Sequence, residues 1–175
     1  MAVLAIGGSG RGVGKTAVGC ALIAALPELR WTAVKISPHE HGLPAVWEET
    51  DRSSAKDSGR YLAAGAERAF LVRGDAEAEL AGLAGTGALL VESNRRQSGA
   101  LFLAVLAGHE ASWKPSMRER VAEADALVLT GGMTVAELPE ALRGKPVFDL
   151  AAGEWLTPRL LRFVGERLHP RPWRR

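Results

Sequence analysis

The chain contains one cysteine, Cys20, so no intramolecular disulfide can brace the fold. A buried structural thiol on the first helix, in a reducing compartment, is the expectation. Long hydrophobic runs are also missing. No uninterrupted apolar stretch approaches the ~20 residues that a membrane span needs, and the first residues enter a short apolar segment with no basic region before it. No membrane partner is expected, and the location read from these features is cytoplasmic. Charge of one sign is scarce as well. A total of 22 Lys and Arg against 20 Asp and Glu leaves a formal +2, too little to give an electrostatic footprint for nucleic acid.

What is present is enough apolar material for one core: 47% of 175 residues are hydrophobic, ordinary for a globular domain. Short β-type runs alternate with helical patterns. Strands are expected over 3–7, 31–36, 69–73, 88–92, 101–107, 126–130 and 146–150. Several of them ("ALLV", "LFLAVLA", "ALVLT") are continuously apolar, as strands covered on both faces are. Helices are expected over 15–26, 57–66, 75–83, 116–124 and 157–168. Ser116 and Glu119 stand in capping-box spacing, and Pro158 falls in the first turn of the last helix. The βαβα alternation predicts an α/β fold with a doubly wound, mostly parallel sheet flanked by helices. Residues 1–168 read as one domain, and 169–175, "HPRPWRR", as a basic, proline-containing tail. The polar stretch 37–56 resists the pattern and reads as a long functional connection.

The chemistry concentrates in "GGSGRGVGKTAVG", residues 7–19. Between a strand and a helix, Gly10, Arg11, Gly12, Val13, Gly14, Lys15, Thr16 and Ala17 form a phosphate loop of the Walker A kind. Glycines let the backbone turn its N–H groups inward at a helix N-terminus. Lys15 would reach the terminal phosphates, and the Thr16 hydroxyl would bind Mg²⁺. The common motif places a glycine where this chain has Ser9. Here Gly8 lies one residue earlier, a lengthened spacing that resembles the dethiobiotin synthetase branch of P-loop NTPases. Gly10 stands where ParA/MinD-type loops carry a signature lysine, which counts against dimer-driven ATPase action by that residue.

Two further stretches, "VKISPHEHG" (34–42) and "KDSGRYLAAGAERAFLV" (56–72), resemble the MobB family of molybdopterin-guanine dinucleotide biosynthesis proteins. The matching residues are Lys35, His39 and His41, then Lys56, Asp57, Ser58 and Arg60, then Ala64, Gly65 and Ala66. The resemblance implies a GTP-binding, Mg²⁺-dependent accessory protein of molybdenum cofactor maturation. It also implies a homodimer working beside the nucleotidyltransferase that attaches GMP to molybdopterin. One departure is visible: the family's E-G-[FY]-K-like sequence is replaced by Glu92-Ser93-Asn94-Arg95-Arg96.

The remaining candidates follow from position. Glu92 closes the run "GALLVE" at the carboxyl end of an expected central strand, where open α/β sheets bind ligands. It would hold Mg²⁺ with Thr16, or else face solvent as a strand-terminal carboxylate. Lys35 ends the second strand and reads either as a partner for phosphate or substrate, or as a surface lysine. Lys35, Asp57 and Glu92 form the candidate catalytic set. His39, His41 and Arg60 are candidates for substrate or partner contact; structural zinc lacks the further ligands it needs. No N-K-x-D guanine reader is present, and the corresponding loop reads Thr130-Gly131-Gly132-Met133. GTP and ATP thus both stay open as the ligand. An ATP-dependent small-molecule ligase or kinase is the alternative to a weakly hydrolysing GTP-binding accessory.

Overall fold

A computed structural model of the chain describes residues 2–37, 44–73, 80, 82–83, 85–95 and 97–169. Eight strands form one sheet: β1 (Val3–Gly8), β2 (Thr32–Ser37), β3 (Val46–Glu49), β4 (Arg68–Arg73), β5 (Leu89–Glu92), β6 (Leu101–Leu106), β7 (Ala126–Leu129) and β8 (Val147–Asp149). Their spatial order is β3-β4-β2-β5-β1-β6-β7-β8. All neighbours run parallel except the β3–β4 pair. Among the described residues, the α-helices with both ends defined are α1 (Lys15–Ala25), α2 (Asp57–Ala63), the single turn α3 (Pro115–Arg118) and α4 (Pro158–Leu168). This is the doubly wound α/β architecture that the alternating pattern predicts.

Alternation along each strand divides the core in two. Leu4, Ile6, Ala33, Leu90, Leu103 and Val128 point to one face, against Val18, Leu22 and Ile23 of α1, Tyr61 of α2 and Leu160 and Val164 of α4. On the other face Ala104, Leu106, Leu127 and Leu129 pack with Trp113, Met117 and Leu138, and Val34, Ile36, Phe70 and Val91 with Leu80. Each fully buried aliphatic side chain contributes roughly 1.5–3 kcal/mol, which explains why so many strand residues are apolar at consecutive positions. The register aligns Lys35 with Glu92 and Glu92 with Ile6. Three adjacent strands therefore end in one row on the α1 side, directly below the loop that leaves β1.

The structure departs from the expectations at several points. Residues 37–56 contain a strand, β3, which pairs antiparallel along β4; Glu48 is tied to Arg68 across that pair at 2.7 Å. The helix expected over 116–124 is a turn, α3, followed by a 3₁₀ turn at Val121–Glu123. It breaks at Arg120, whose φ of −116° leaves the helical range. Its N-cap is Lys114, not Ser116, and a complete capping box forms instead at Thr134 and Glu137. Cys20 is half-buried, with burial pushing its thiol up to about 11. The helix expected over 75–83 and the tail 169–175 lie largely outside the described residues. No helix of the described chain is long and apolar enough to cross a membrane.

Candidate phosphate-binding site

The loop between β1 and α1 is pinned at its start and open at its end. Ser9 acts as one more strand residue: its N–H donates to the Val105 carbonyl at 2.9 Å, and its hydroxyl exchanges hydrogen bonds with Ala107 N–H (3.0 Å) and carbonyl (3.2 Å). That accounts for a serine where the common motif has glycine. Gly8 carries the constraint instead. A Cβ there would stand 2.7 Å from Lys15 Cδ and 2.8 Å from Cγ, so the lengthened spacing makes room for the Lys15 stem to lie over the strand end.

Beyond Ser9, the chain turns through Gly10, Arg11, Gly12 and Val13, with Gly12 at φ +76° and Gly14 at φ +102°. The N-terminus of α1 has neither a side-chain cap nor an acidic residue in its first turn. Its orphan N–H groups and the positive end of the helix dipole thus face the groove, which suits an anion. Lys15 folds back to donate to the Gly10 carbonyl at 2.8 Å. Burial lowers its pKa, with Lys35 and Lys114 nearby adding to that against the pull of Glu92. An arriving phosphate would relieve this crowding of positive charge.

Glu92 is the hub beneath the loop. Only 3% exposed, it accepts from Thr16 Oγ1 at 2.8 Å and Tyr61 OH at 2.6 Å on one oxygen, and from Lys35 Nζ at 2.8 Å on the other. Lys35 also donates to Asp57, and Arg60 stands 3.6 Å from the other Asp57 oxygen. Burial alone would lower Lys35, but Glu92 and Asp57 reverse that and hold it above its ordinary value. Burial would likewise raise Asp57; its contact with Lys35, helped by Thr16 and Arg60, holds it below the usual carboxylate range. Asp57 opens α2, where a carboxylate also suits the helix dipole.

The structure thus brings Thr16, Lys35, Asp57, Arg60 and Glu92 together beside the phosphate loop, around a groove of about 1390 Å³. Arg11 and Ala17 line it as well. Val13 lies behind the loop, its carbonyl accepting from Thr130 Oγ1 at 2.8 Å. His39 and His41 lie outside the described residues. In the segment 112–116, Trp113 is buried, whereas Lys114 and Ser116 reach the groove.

Three residues at the site escape sequence reasoning. Tyr61 reads as one more apolar residue of a helix. Asn94 lies inside the departure "ESNRR", yet it pairs with both backbone groups of Gly8 (2.7 and 3.1 Å) and donates to Ser116 at 3.0 Å. An asparagine just past a strand end is the signal that would have pointed to it. Trp155 lines the groove as well, on a segment with no motif.

The donor set accords with Mg²⁺. Thr16 and Glu92 offer hard oxygens 2.8 Å apart. Among the described residues, no group of three or more His, Cys, Asp or Glu is arranged to hold a metal. A site with one or two protein oxygens, completed by phosphate and water, is the way this ion is commonly held.

No family model and no curated protein matches the sequence. Solved structures do match. An LpxK structure from Aquifex aeolicus in complex with ATP aligns over 85% of this chain at TM-score 0.55 and 20% identity; the chain spans 53% of its length. HypB from Helicobacter pylori, in complex with nickel, aligns over 98% of this chain and 92% of its own at TM-score 0.54 and 13% identity. MobB of Bacillus subtilis aligns over 98% and 100% at TM-score 0.52 and 17% identity. The chain has the P-loop NTPase fold. The segment expected to be the phosphate loop, residues 10–17, leaves the central strand β1 and runs into the start of α1.

Proposed function

We propose that the chain binds a nucleoside triphosphate with Mg²⁺ in this groove. We read it as a GTP-binding accessory protein of molybdenum cofactor maturation, with weak or no hydrolysis of its own. The observation that carries the nucleotide reading is the Thr16–Glu92 pair, buried under an uncapped helix N-terminus whose first residue is Lys15. In this reading the loop N–H groups and Lys15 bind phosphate oxygens. Thr16 and Glu92 hold the ion, which would neutralise phosphate charge when bound. Lys35 keeps the buried carboxylate compensated. The pathway assignment rests on the resemblance of Lys35, the 56–60 segment and Ala64-Gly65-Ala66 to the MobB family, which also supplies the nucleotidyltransferase partner and the homodimer.

A second reading has its own support. Lys35 and Asp57 meet on the groove wall, where a cation and a carboxylate would position an acceptor and take its proton. An ATP-dependent kinase or ligase acting on a small molecule would use that pair. Calorimetric titration with GTP and with ATP, each with and without Mg²⁺, separates the two when paired with a phosphate-release assay. GTP preference with negligible turnover supports the accessory role, whereas ATP preference with turnover on a second substrate supports the enzyme. Failure to bind either nucleotide sinks both.

A further inference from the structure

We infer that Trp155 is the stacking platform for the base of the nucleotide, a role that rests on the nucleotide reading above. Among the described residues, three large hydrophobic side chains are exposed: Trp47, Val135 and Trp155. Of these only Trp155, 39% exposed, lines the phosphate groove. Its ring lies against the loop itself. A Cβ built on Gly14 would stand 2.4 Å from Trp155 Cζ3 and 3.1 Å from Cε3, so the residue preceding Lys15 must be small for the indole to sit there.

The backbone that carries Trp155 is anchored on both sides. The Leu150 N–H pairs with the Leu129 carbonyl at 3.0 Å, continuing the β7–β8 ladder, and a turn closes from Glu154 N–H to Ala151 carbonyl at 3.0 Å through Gly153 at φ +84°. On the other side Leu156 packs on the core, and Thr157 caps α4 through Leu160 N–H at 3.2 Å. An aromatic face on an anchored segment, in a groove whose lining also carries Arg11, Lys15, Arg60 and Lys114 beside the Lys35–Glu92–Asp57 cluster, is suited to a ligand that is polyanionic at one end and flat and aromatic at the other. Bases of any identity stack on such a face.

The loop after β7 adds no side-chain reader of a base edge. Thr130 spends its hydroxyl on Val13, Met133 is buried, and Gly131 and Gly132 have no side chains. Residues 130–133 therefore present no carboxylate to a base edge.

The test compares wild type, Trp155→Ala and Trp155→Phe by calorimetry with Mg²⁺, using GTP, ATP and inorganic tripolyphosphate. Circular dichroism and the urea midpoint check each fold. The inference expects Trp155→Ala to lose about tenfold or more in affinity for both nucleotides, to keep its affinity for tripolyphosphate, and Trp155→Phe to retain most nucleotide binding. Equal loss for all three ligands would assign the indole to loop support and overturn the inference, as would unchanged nucleotide affinity in Trp155→Ala. Wild type that binds tripolyphosphate as tightly as GTP and ATP would overturn it too, while leaving the phosphate site standing. A wild type that binds none of the three removes the nucleotide reading itself.

Discussion

Tyr61→Phe removes one oxygen from the interior and nothing else. The Tyr61 side chain is fully buried, and its hydroxyl donates to Glu92 at 2.6 Å. The same carboxylate oxygen keeps Thr16 as a donor, and the other keeps Lys35, so the buried charge is weakened in its support but not orphaned. A hydrogen bond to a charged group is worth roughly 1.5–3 kcal/mol, and the phenylalanine ring preserves the packing against α1 and the sheet. The expected loss is therefore about 2 kcal/mol, which for a chain of this size is a fall in Tm of roughly 4–8 °C. Urea denaturation at pH 7 measures the first and calorimetry the second. The pH profile adds a check. Burial, with the Glu92 carboxylate beside it, raises the tyrosine well above its ordinary value. The unfolded chain then releases that proton first, near pH 10, and wild-type stability falls as pH rises past that point while the phenylalanine variant escapes this loss. The gap between the two proteins should be constant from pH 6 to about 9 and narrow above about 10. A loss under about 0.5 kcal/mol at pH 7, or a gap that widens in base, would refute the assignment of a supported buried carboxylate.

Three other perturbations address the site. Lys15→Ala should cost roughly 3 kcal/mol or more of nucleotide affinity in calorimetry with an unchanged urea midpoint, because the side chain's bond in the free protein is to the Gly10 carbonyl; normal binding would end the phosphate-loop assignment. Glu92→Gln should weaken Mg²⁺-dependent nucleotide binding more than Mg²⁺-free binding, and equal effects on both would remove Glu92 from the metal. Gly8→Ala should push the Lys15 stem aside, since the new Cβ would meet it at 2.7 Å. Affinity for tripolyphosphate is expected to fall about tenfold with a stability loss near ~1 kcal/mol, and an unaltered affinity would show that the stem finds another path.

Local pattern made most of the sheet legible. Strands such as Leu89–Glu92 and Ala126–Leu129 are buried at every position, and burial on both faces leaves a continuous apolar run that sequence displays directly. β3 escaped for the opposite reason: it is an edge of four residues, Val46-Trp47-Glu48-Glu49, with Trp47 and Glu48 exposed, so its composition is that of a connection. The expected helix over 116–124 had the right capping letters but too few turns, and the Asn94–Ser116 bond took the serine for another purpose. At the site, Lys15, Thr16, Lys35 and Glu92 were legible because a motif or a strand end fixes where each must lie. Tyr61, Asn94 and Trp155 were not, because each acts on a partner 31, 86 or some 140 residues away, a distance that only the folded sheet closes.

Ser9 has a mechanical consequence. Its hydroxyl and backbone lock it to the end of β6, while its carbonyl accepts from Lys114 N–H at 2.8 Å. The start of the phosphate loop, the end of β6 and the base of the Lys114 wall are therefore one stiff lever, although a hundred residues separate its parts. The Trp155 wall hangs from a different strand, β8, at the rim of the sheet. Between lever and rim run two links, the Thr130–Val13 hydrogen bond and the packing of the indole on Gly14, so a change in either is expected to reach the phosphate loop.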